Sequence, residues 1–253
     1  MQPTAILSAL AEEQQGLLAQ LQQPRLRRIA SRDFWSGHLH GQPVVLALSR
    51  IGKVSASLTA AALISHLGVG RVLFTGVAGG LAQGVAVGDV VVAEEFIQHD
   101  MDASPLFPRY EVPLYDRARF ACDAGLTALL QAAVAQALQA SPGSCAHAGL
   151  IASGDLFVSS QAESMALQAG LRAAGHEALA VEMEGAAVAQ VCADYGVPFA
   201  AMRTISDRAD DLAHQDFPVF VRDVASLYAE RIVRAFLLAL PATPTVISAS
   251  RAS

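Results

Sequence analysis

Residues 177–196 read "EALAVEMEGAAVAQVCADYG". The first part is a short apolar run ending in acids; the second, from about Ala186 to Tyr195, keeps a helical period and is closed by Gly196, with Pro198 just beyond. A strand that turns at once into a helix is the unit from which a sheet covered by helices is built. The rest of the chain repeats it. After this stretch comes the strand "FAAMRTISD" (199–207), and before it the strand "AHAGLIASGDLFVSS" (146–160). Nearer the start, "TAILSAL" (4–10) is a first strand followed by a helix near Glu12 to Gln23. "PVVLALSRIGKV" (43–54) runs from strand into turn, and "SASLTAAALISHLG" (55–68) is a helix ended by Gly68. "RVLFTGVAGGL" (71–81) reads as one strand stopping at glycines, and "VGDVVVAEEFI" (87–97) as another after the Gly88-Asp89 turn.

Two further segments complete the pattern. Leu126, Leu129, Leu130, Ala133, Val134, Ala137 and Leu138 share one face of a helix over 125–140. From Phe217 to Leu240 the positions Phe220, Val224, Leu227, Tyr228, Ile232 and Phe236 keep the same period. Between the strands of the middle region, "QHDMDASPLFPRYEVPLYD" (98–116) carries three prolines and reads as a long ordered loop of the kind that serves function. The expected fold is a single α/β domain over 1–240, a central mixed twisted sheet flanked by helices in three layers, with 241–253 as a flexible tail.

The chain has 253 residues, 53% of them hydrophobic and 16% charged, which excludes a disordered chain and leaves apolar surface for an oligomer interface. The net charge of −6 is spread, with "RLRR" at Arg25–Arg28 the one basic cluster, so a nucleic-acid footprint is missing and a small-molecule partner is favoured. Three cysteines form neither a disulfide framework nor a metal spacing and indicate a reducing compartment. The N-terminus has no basic leader, and no apolar run reaches the roughly 20 residues that span a bilayer. A cytoplasmic protein is expected.

In open α/β sheets ligands bind beyond the carboxyl ends of the strands. There stand Glu12 and Glu13, the "GVAGG" glycines, Ser153, Asp155 and Phe157, Glu182 and Glu184, and Arg203, Ser206 and Asp207. The glycines lack the Lys of a phosphate-binding loop and do not fit G-x-G-x-x-G. His99 with Asp100 and Asp102 is a poor metal set. Glu182 and Glu184 are the informative pair, because a buried unpaired carboxylate costs several kcal/mol. Arg203 is the evident compensator, and Glu184, at the strand-to-helix corner, is expected to lie near a helix N-terminus that keeps it ionised.

The ordered motifs "ILSALAEE", "SRIGKV", "TGVAGGL", "VGDVVVAEE", "QHD", "GLIASGDLFV", "VEMEG", "VPF" and "RTISD" resemble those of 5′-methylthioadenosine/S-adenosylhomocysteine nucleosidases, within the wider nucleoside phosphorylase superfamily. The resemblance implies hydrolysis of an N-glycosidic bond that releases adenine and a free 5′-substituted ribose, serving methionine salvage and methyl-cycle detoxification. It would extend to 5′-deoxyadenosine. It also implies the roles: Glu13 as base for the water, Asp207 as general acid at adenine N7, and an ionised Glu184 under the ribose. Phe157 would stack on adenine and the Val158 backbone would bind its edge, with Ala78 and Gly79 letting the backbone approach. Ser206 would orient Asp207, Met183 would pack on the ribose, and Arg203 would place Glu184 and the water with support from Glu182. The 5′ group would meet Leu10, Ile51 and Phe217 of one chain and Met101, Ala103, Pro105 and Phe107 of a partner, which implies a homodimer. No metal or organic cofactor is implied. Val77 stands where several family members carry a hydroxyl, and the Pro-rich 99–114 loop departs from the common version. Three rivals stay open: a futalosine-type hydrolase, a purine nucleoside phosphorylase, and a non-catalytic nucleoside binder on the same fold.

Overall fold

β1 (Thr4–Ser8) is buried along its whole length, because it lies parallel between β4 (Gln42–Leu48) and β5 (Arg71–Phe74) at the centre of a sheet covered on both faces. The computed structural model describes residues 2–210, 220 and 225–241. The remaining strands are β2 (Gln22–Ile29), β3 (Arg32–Leu39), β6 (Val77–Gly80), β7 (Val90–Gln98), β8 (Arg119–Ala121), β9 (Ala146–Ser153), β10 (Ala178–Glu182) and β11 (Phe199–Asp207). Among the described residues they form one mixed sheet of 11 strands in the order β2-β3-β4-β1-β5-β11-β6-β10-β9-β7-β8.

The helices are α1 (Ala11–Ala19), α2 (Lys53–Leu67), α3 (Ala124–Leu138), α4 (Gln161–Ala173), α5 (Gly185–Tyr195) and α6 (Ser226–Ala239). α2 and α5 pack together over one cluster containing Leu7, Phe74, Phe96 and Phe199, while α6 packs on α1 and α3 over another containing Leu17, Leu46, Met202 and Phe236. The three-layer α/β expectation holds. No helix among the described residues is long and apolar enough to cross a membrane.

Several local expectations change. "RVLFTGVAGGL" is two strands: β5 pairs with β1, whereas β6 leaves that line at Thr75-Gly76 to pair with β10 and the far half of β11. β11 makes the division possible. Phe199–Ala201 pairs with β5, and Met202–Thr204 pairs antiparallel with β7, so one nine-residue strand belongs to both halves and closes β11, β6, β10, β9 and β7 into a ring. The first helix ends at Ala19 instead of Gln23, and "RLRR" lies on β2, an edge strand that among the described residues pairs only with β3. Its exposed polar residues carry no apolar alternation that would reveal it. α4 is a helix that the apolar periodicity does not mark, and the 217–240 helix is described only from Ser226, apart from helical Phe220. The tail from 242 lies outside the described residues.

Candidate active site

The carboxyl ends of β1, β10 and β11 converge with β6 on a cleft of about 410 Å³. It gathers Leu10, Glu13, Ile51, Ala78, Gly79, Phe157, Val158, Glu182, Met183, Glu184, Arg203, Ser206 and Asp207, all picked out from the sequence. Leu156 also faces it, and no sequence signal marks that residue out. Phe217 lies outside the described residues, and Met101, Ala103, Pro105 and Phe107 do not line this chain's own cleft.

Glu13 sits in the first turn of α1, where its Oε2 accepts the Ala9 and Leu10 N–H groups at 2.8 and 3.0 Å, half of a capping box, since Leu10 at the cap has no acceptor side chain. Its Oε1 has no hydrogen bond of full geometry within the described residues; it faces Gly76, with the Val77 N–H and Arg203 acting on the carboxyl. At 2% exposure the carboxyl is lifted above the usual range by burial, against the pull of the Leu10 N–H and Arg203. A carboxylate held by one oxygen and raised in basicity is suited to take a proton with the other.

Asp207 ends β11 and lines the same cleft. Ser206 Oγ donates to its Oδ2 at 2.7 Å, and the Ala209 N–H donates to its Oδ1 at 2.8 Å. Gly79 is required here: a Cβ at that position would lie 2.9 Å from Asp207 Oδ1 and 2.9 Å from Ala209 Cβ. The β-bulge between Ile205 and Asp207 turns the carboxyl into the cleft.

Two contacts expected for Glu184 of "VEMEG", the helix N-terminus and Arg203, go to Glu182. Glu182, the last residue of β10, takes the helix N-terminus: the Gly185 N–H lies 2.9 Å from both its oxygens and the Glu184 N–H 3.1 Å from Oε2. Ser153 Oγ donates to Oε1 and in turn accepts the Ala186 N–H at 2.8 Å. Arg203 Nη2 pairs with Glu182 Oε2 at 2.6 Å, its guanidinium stacked 4.1 Å above the centre of the Phe74 ring. Arg203 therefore positions Glu182, not Glu184, and Glu182 is the carboxylate fully met by donors. Glu184 occupies the cap of α5 without a side-chain capping bond, and its Oε1 accepts the Gly52 N–H at 2.9 Å. Burial first, then the neighbouring Glu182, push its carboxyl up to about 8. The expectation that the helix N-terminus keeps Glu184 ionised fails, because β10 ends at Glu182 and the Glu182 carboxylate already occupies the first N–H groups of α5.

His99 is buried against Gly154, Asp100 pairs with Lys53, and Asp102 caps the Ser104 turn, so the three do not converge. Phe157 and Leu156 form the open wall, 41% and 51% exposed.

The residue pattern of the phosphorylase superfamily matches residues 3–238. Among curated proteins, the chain is similar to the 5′-methylthioadenosine/S-adenosylhomocysteine nucleosidase of Aeromonas salmonicida, 33% identical over 229 residues that make up 90% of this chain and 96% of that one. Among solved structures it is similar to the nucleosidase of that name from Neisseria meningitidis in complex with methylthio-immucillin-A, with 34% identity, TM-score 0.84 and coverage of 94% and 99%. A futalosine hydrolase of Helicobacter pylori is nearly as similar, at 33% identity, TM-score 0.83 and coverage of 93% and 97%.

Proposed function

The chain belongs to the phosphorylase superfamily, and from that premise we propose that it is a nucleosidase hydrolysing the N-glycosidic bond of 5′-methylthioadenosine and S-adenosylhomocysteine, to adenine and the free 5′-substituted ribose. The observation that carries hydrolysis over phosphorolysis is the charge of the cleft. Among the described residues four carboxyl groups line it against one arginine, and that arginine is already paired with Glu182. A phosphate dianion would meet no unpaired cation among these groups, whereas water would find a base in Glu13.

In this reading Glu13 Oε1 accepts a proton from water as its oxygen attacks C1′. The C1′–N9 bond breaks, its electron pair leaves with adenine, and Asp207 delivers a proton to N7. Ser206 and the Ala209 N–H hold the Asp207 carboxyl in place for that transfer. The ribose develops positive charge as it does in glycoside hydrolysis, and Glu184 beneath it binds the 2′- and 3′-hydroxyls and opposes that charge. Buried with few competing donors, Glu184 acts through a low-dielectric medium, so its ionised form interacts strongly with a cation. Adenine stacks on Phe157 and meets the Val158 backbone, with Met183 against the sugar. The enzyme supports methionine salvage and clears the product of methyl transfer in the cytoplasm, where its three cysteines stay reduced.

The test is one assay. Methylthioadenosine, adenosylhomocysteine, adenosine and futalosine are each incubated with the protein, with and without phosphate, and the sugar product is identified. Free sugar from the first two supports the proposal, and sugar 1-phosphate overturns it. Exclusive turnover of futalosine would transfer the same chemistry to that substrate, which the similarity to the Helicobacter pylori hydrolase makes the necessary control.

The 5′ pocket is completed in a homodimer, with Leu10 and Ile51 from one chain and Met101, Ala103, Pro105 and Phe107 from the other. Ile51 at 56% and Leu106 at 84% exposure give the apolar surface such an interface would cover. A charge introduced at Leu106 (Leu106→Glu) should convert a dimer to monomer by light scattering and lower kcat/KM for methylthioadenosine roughly tenfold or more, the worth of lost apolar contacts. Full activity in a demonstrated monomer would remove the partner from the site.

A further inference from the structure

Glu184 has one hydrogen bond to its carboxyl among the described residues, from the Gly52 N–H at 2.9 Å, and that donor sits in the turn that opens α2. The turn is not self-supporting. Gly52 has φ +94°, a conformation that favours glycine, and the geometry is held by the next residue. The Lys53 N–H donates to Asp155 Oδ1 at 2.8 Å, the Asp155 N–H donates to Asp100 Oδ2 at 2.9 Å, and Lys53 Nζ returns to Asp100 Oδ1 at 2.5 Å. Lys53 Nζ also donates to Gln98 Oε1 at 3.1 Å, and the Gln98 amide donates in turn to Gln190 of α5 at 3.0 Å. Three segments close into a ring: the β4–α2 turn, the exit of β7, and the exit of β9 that leads two residues later to Phe157.

We infer that Lys53 and Asp100 are positioning residues for the reaction, their ion pair holding the Gly52 N–H against the Glu184 carboxylate. The ion pair is half-sheltered, with Lys53 15% and Asp100 31% exposed, so it is better placed than a free surface pair to hold a geometry. The inference rests on the proposed role of Glu184. The groups facing Glu184 are Glu182 from β10, Arg203 from β11, Glu13 from α1 and the Gly52 N–H from the α2 turn. Of these, Arg203 and the N–H favour the ionised form, and only the N–H depends on the ring. Loosening the ring removes a donor to the anion and moves Glu184 toward its protonated state.

The experiment is a carbon-13 titration of the Glu184 side-chain carboxyl, assigned with Glu184→Gln, in the wild-type protein and in Lys53→Met, Asp100→Ala and Lys53→Arg. Lys53→Met and Asp100→Ala break the ring from opposite sides, so a folding defect in one does not decide the matter. Both should raise the titration midpoint by about 1 in pH, as expected for a hydrogen bond lost by a buried anion, and Lys53→Arg should restore it. In the hydrolysis assay the same two variants should show kcat/KM reduced roughly tenfold near pH 6.5 and close to wild type near pH 9.5, since a midpoint higher by about 1 in pH lowers the ionised fraction about tenfold on its acid side. An unmoved midpoint in the folded variants overturns the inference. Absence of hydrolysis by the wild type would remove the proposed function alone, and the titration would still decide the ring.

Discussion

Asp207→Asn should lower kcat for methylthioadenosine by about 10²-fold or more while substrate affinity changes little, the pattern of a lost general acid. The amide keeps the size of the carboxyl, and its oxygen can still accept the Ala209 N–H, so the bulge at the end of β11 should survive. What it cannot do is hand a proton to a departing base and be reprotonated. Adenine must then leave as an anion from a site whose other acidic groups are carboxyls, which compounds the loss. The measurement is single-turnover adenine release with substrate binding followed separately by calorimetry. Near-wild-type turnover in a folded Asp207→Asn protein would take Asp207 out of the role and return the acid function to water or substrate.

The second large effect falls on Glu13. Glu13→Gln should bind nucleoside and turn it over at least about 10²-fold more slowly, since water then has no base at C1′. The variant should remain folded: the amide oxygen can accept the Ala9 and Leu10 N–H groups as Oε2 does. The sign of the ionisation effect points the same way. A carboxyl whose folded-state value is raised favours the fold below its unfolded value and loses that contribution as pH rises through the folded value, so at neutral pH the amide should cost no stability. Thermal melts at pH 5 and 8 check this. A Glu13→Gln protein that hydrolyses normally would place the base elsewhere, and one that fails to bind would show the residue to be structural.

The site is legible in the sequence because its residue types are unusual for where they stand. Carboxyls at or just beyond the ends of apolar strands, as at Glu13, Glu184 and Asp207, are expensive unless a ligand or partner uses them, and the strand ends are where an α/β sheet binds. Lys53 and Asp100 give no comparable signal. They are 47 residues apart and each is an ordinary surface residue by sequence; only their ion pair, across two loops, gives them a role. The β2–β3 hairpin is hidden for a related reason, since an edge strand exposed on nearly every residue carries no burial pattern to read.

The family resemblance marked the apolar and backbone groups of the cleft; by itself the residue pattern determined the α/β class, the order of most strands and helices, the stops at Gly68 and Gly196, and the polar groups at the strand ends. Each of these last depends on composition, periodicity or capping within a few residues, which are local properties of the chain. The tertiary structure alone decided that "RVLFTGVAGGL" divides between two halves of the sheet, that β11 serves both, and that Glu182 rather than Glu184 receives Arg203 and the α5 N-terminus. Which of two carboxyls two residues apart is neutralised and which stays raised is settled by contacts of about 3 Å, and such distances follow from the packing of distant strands.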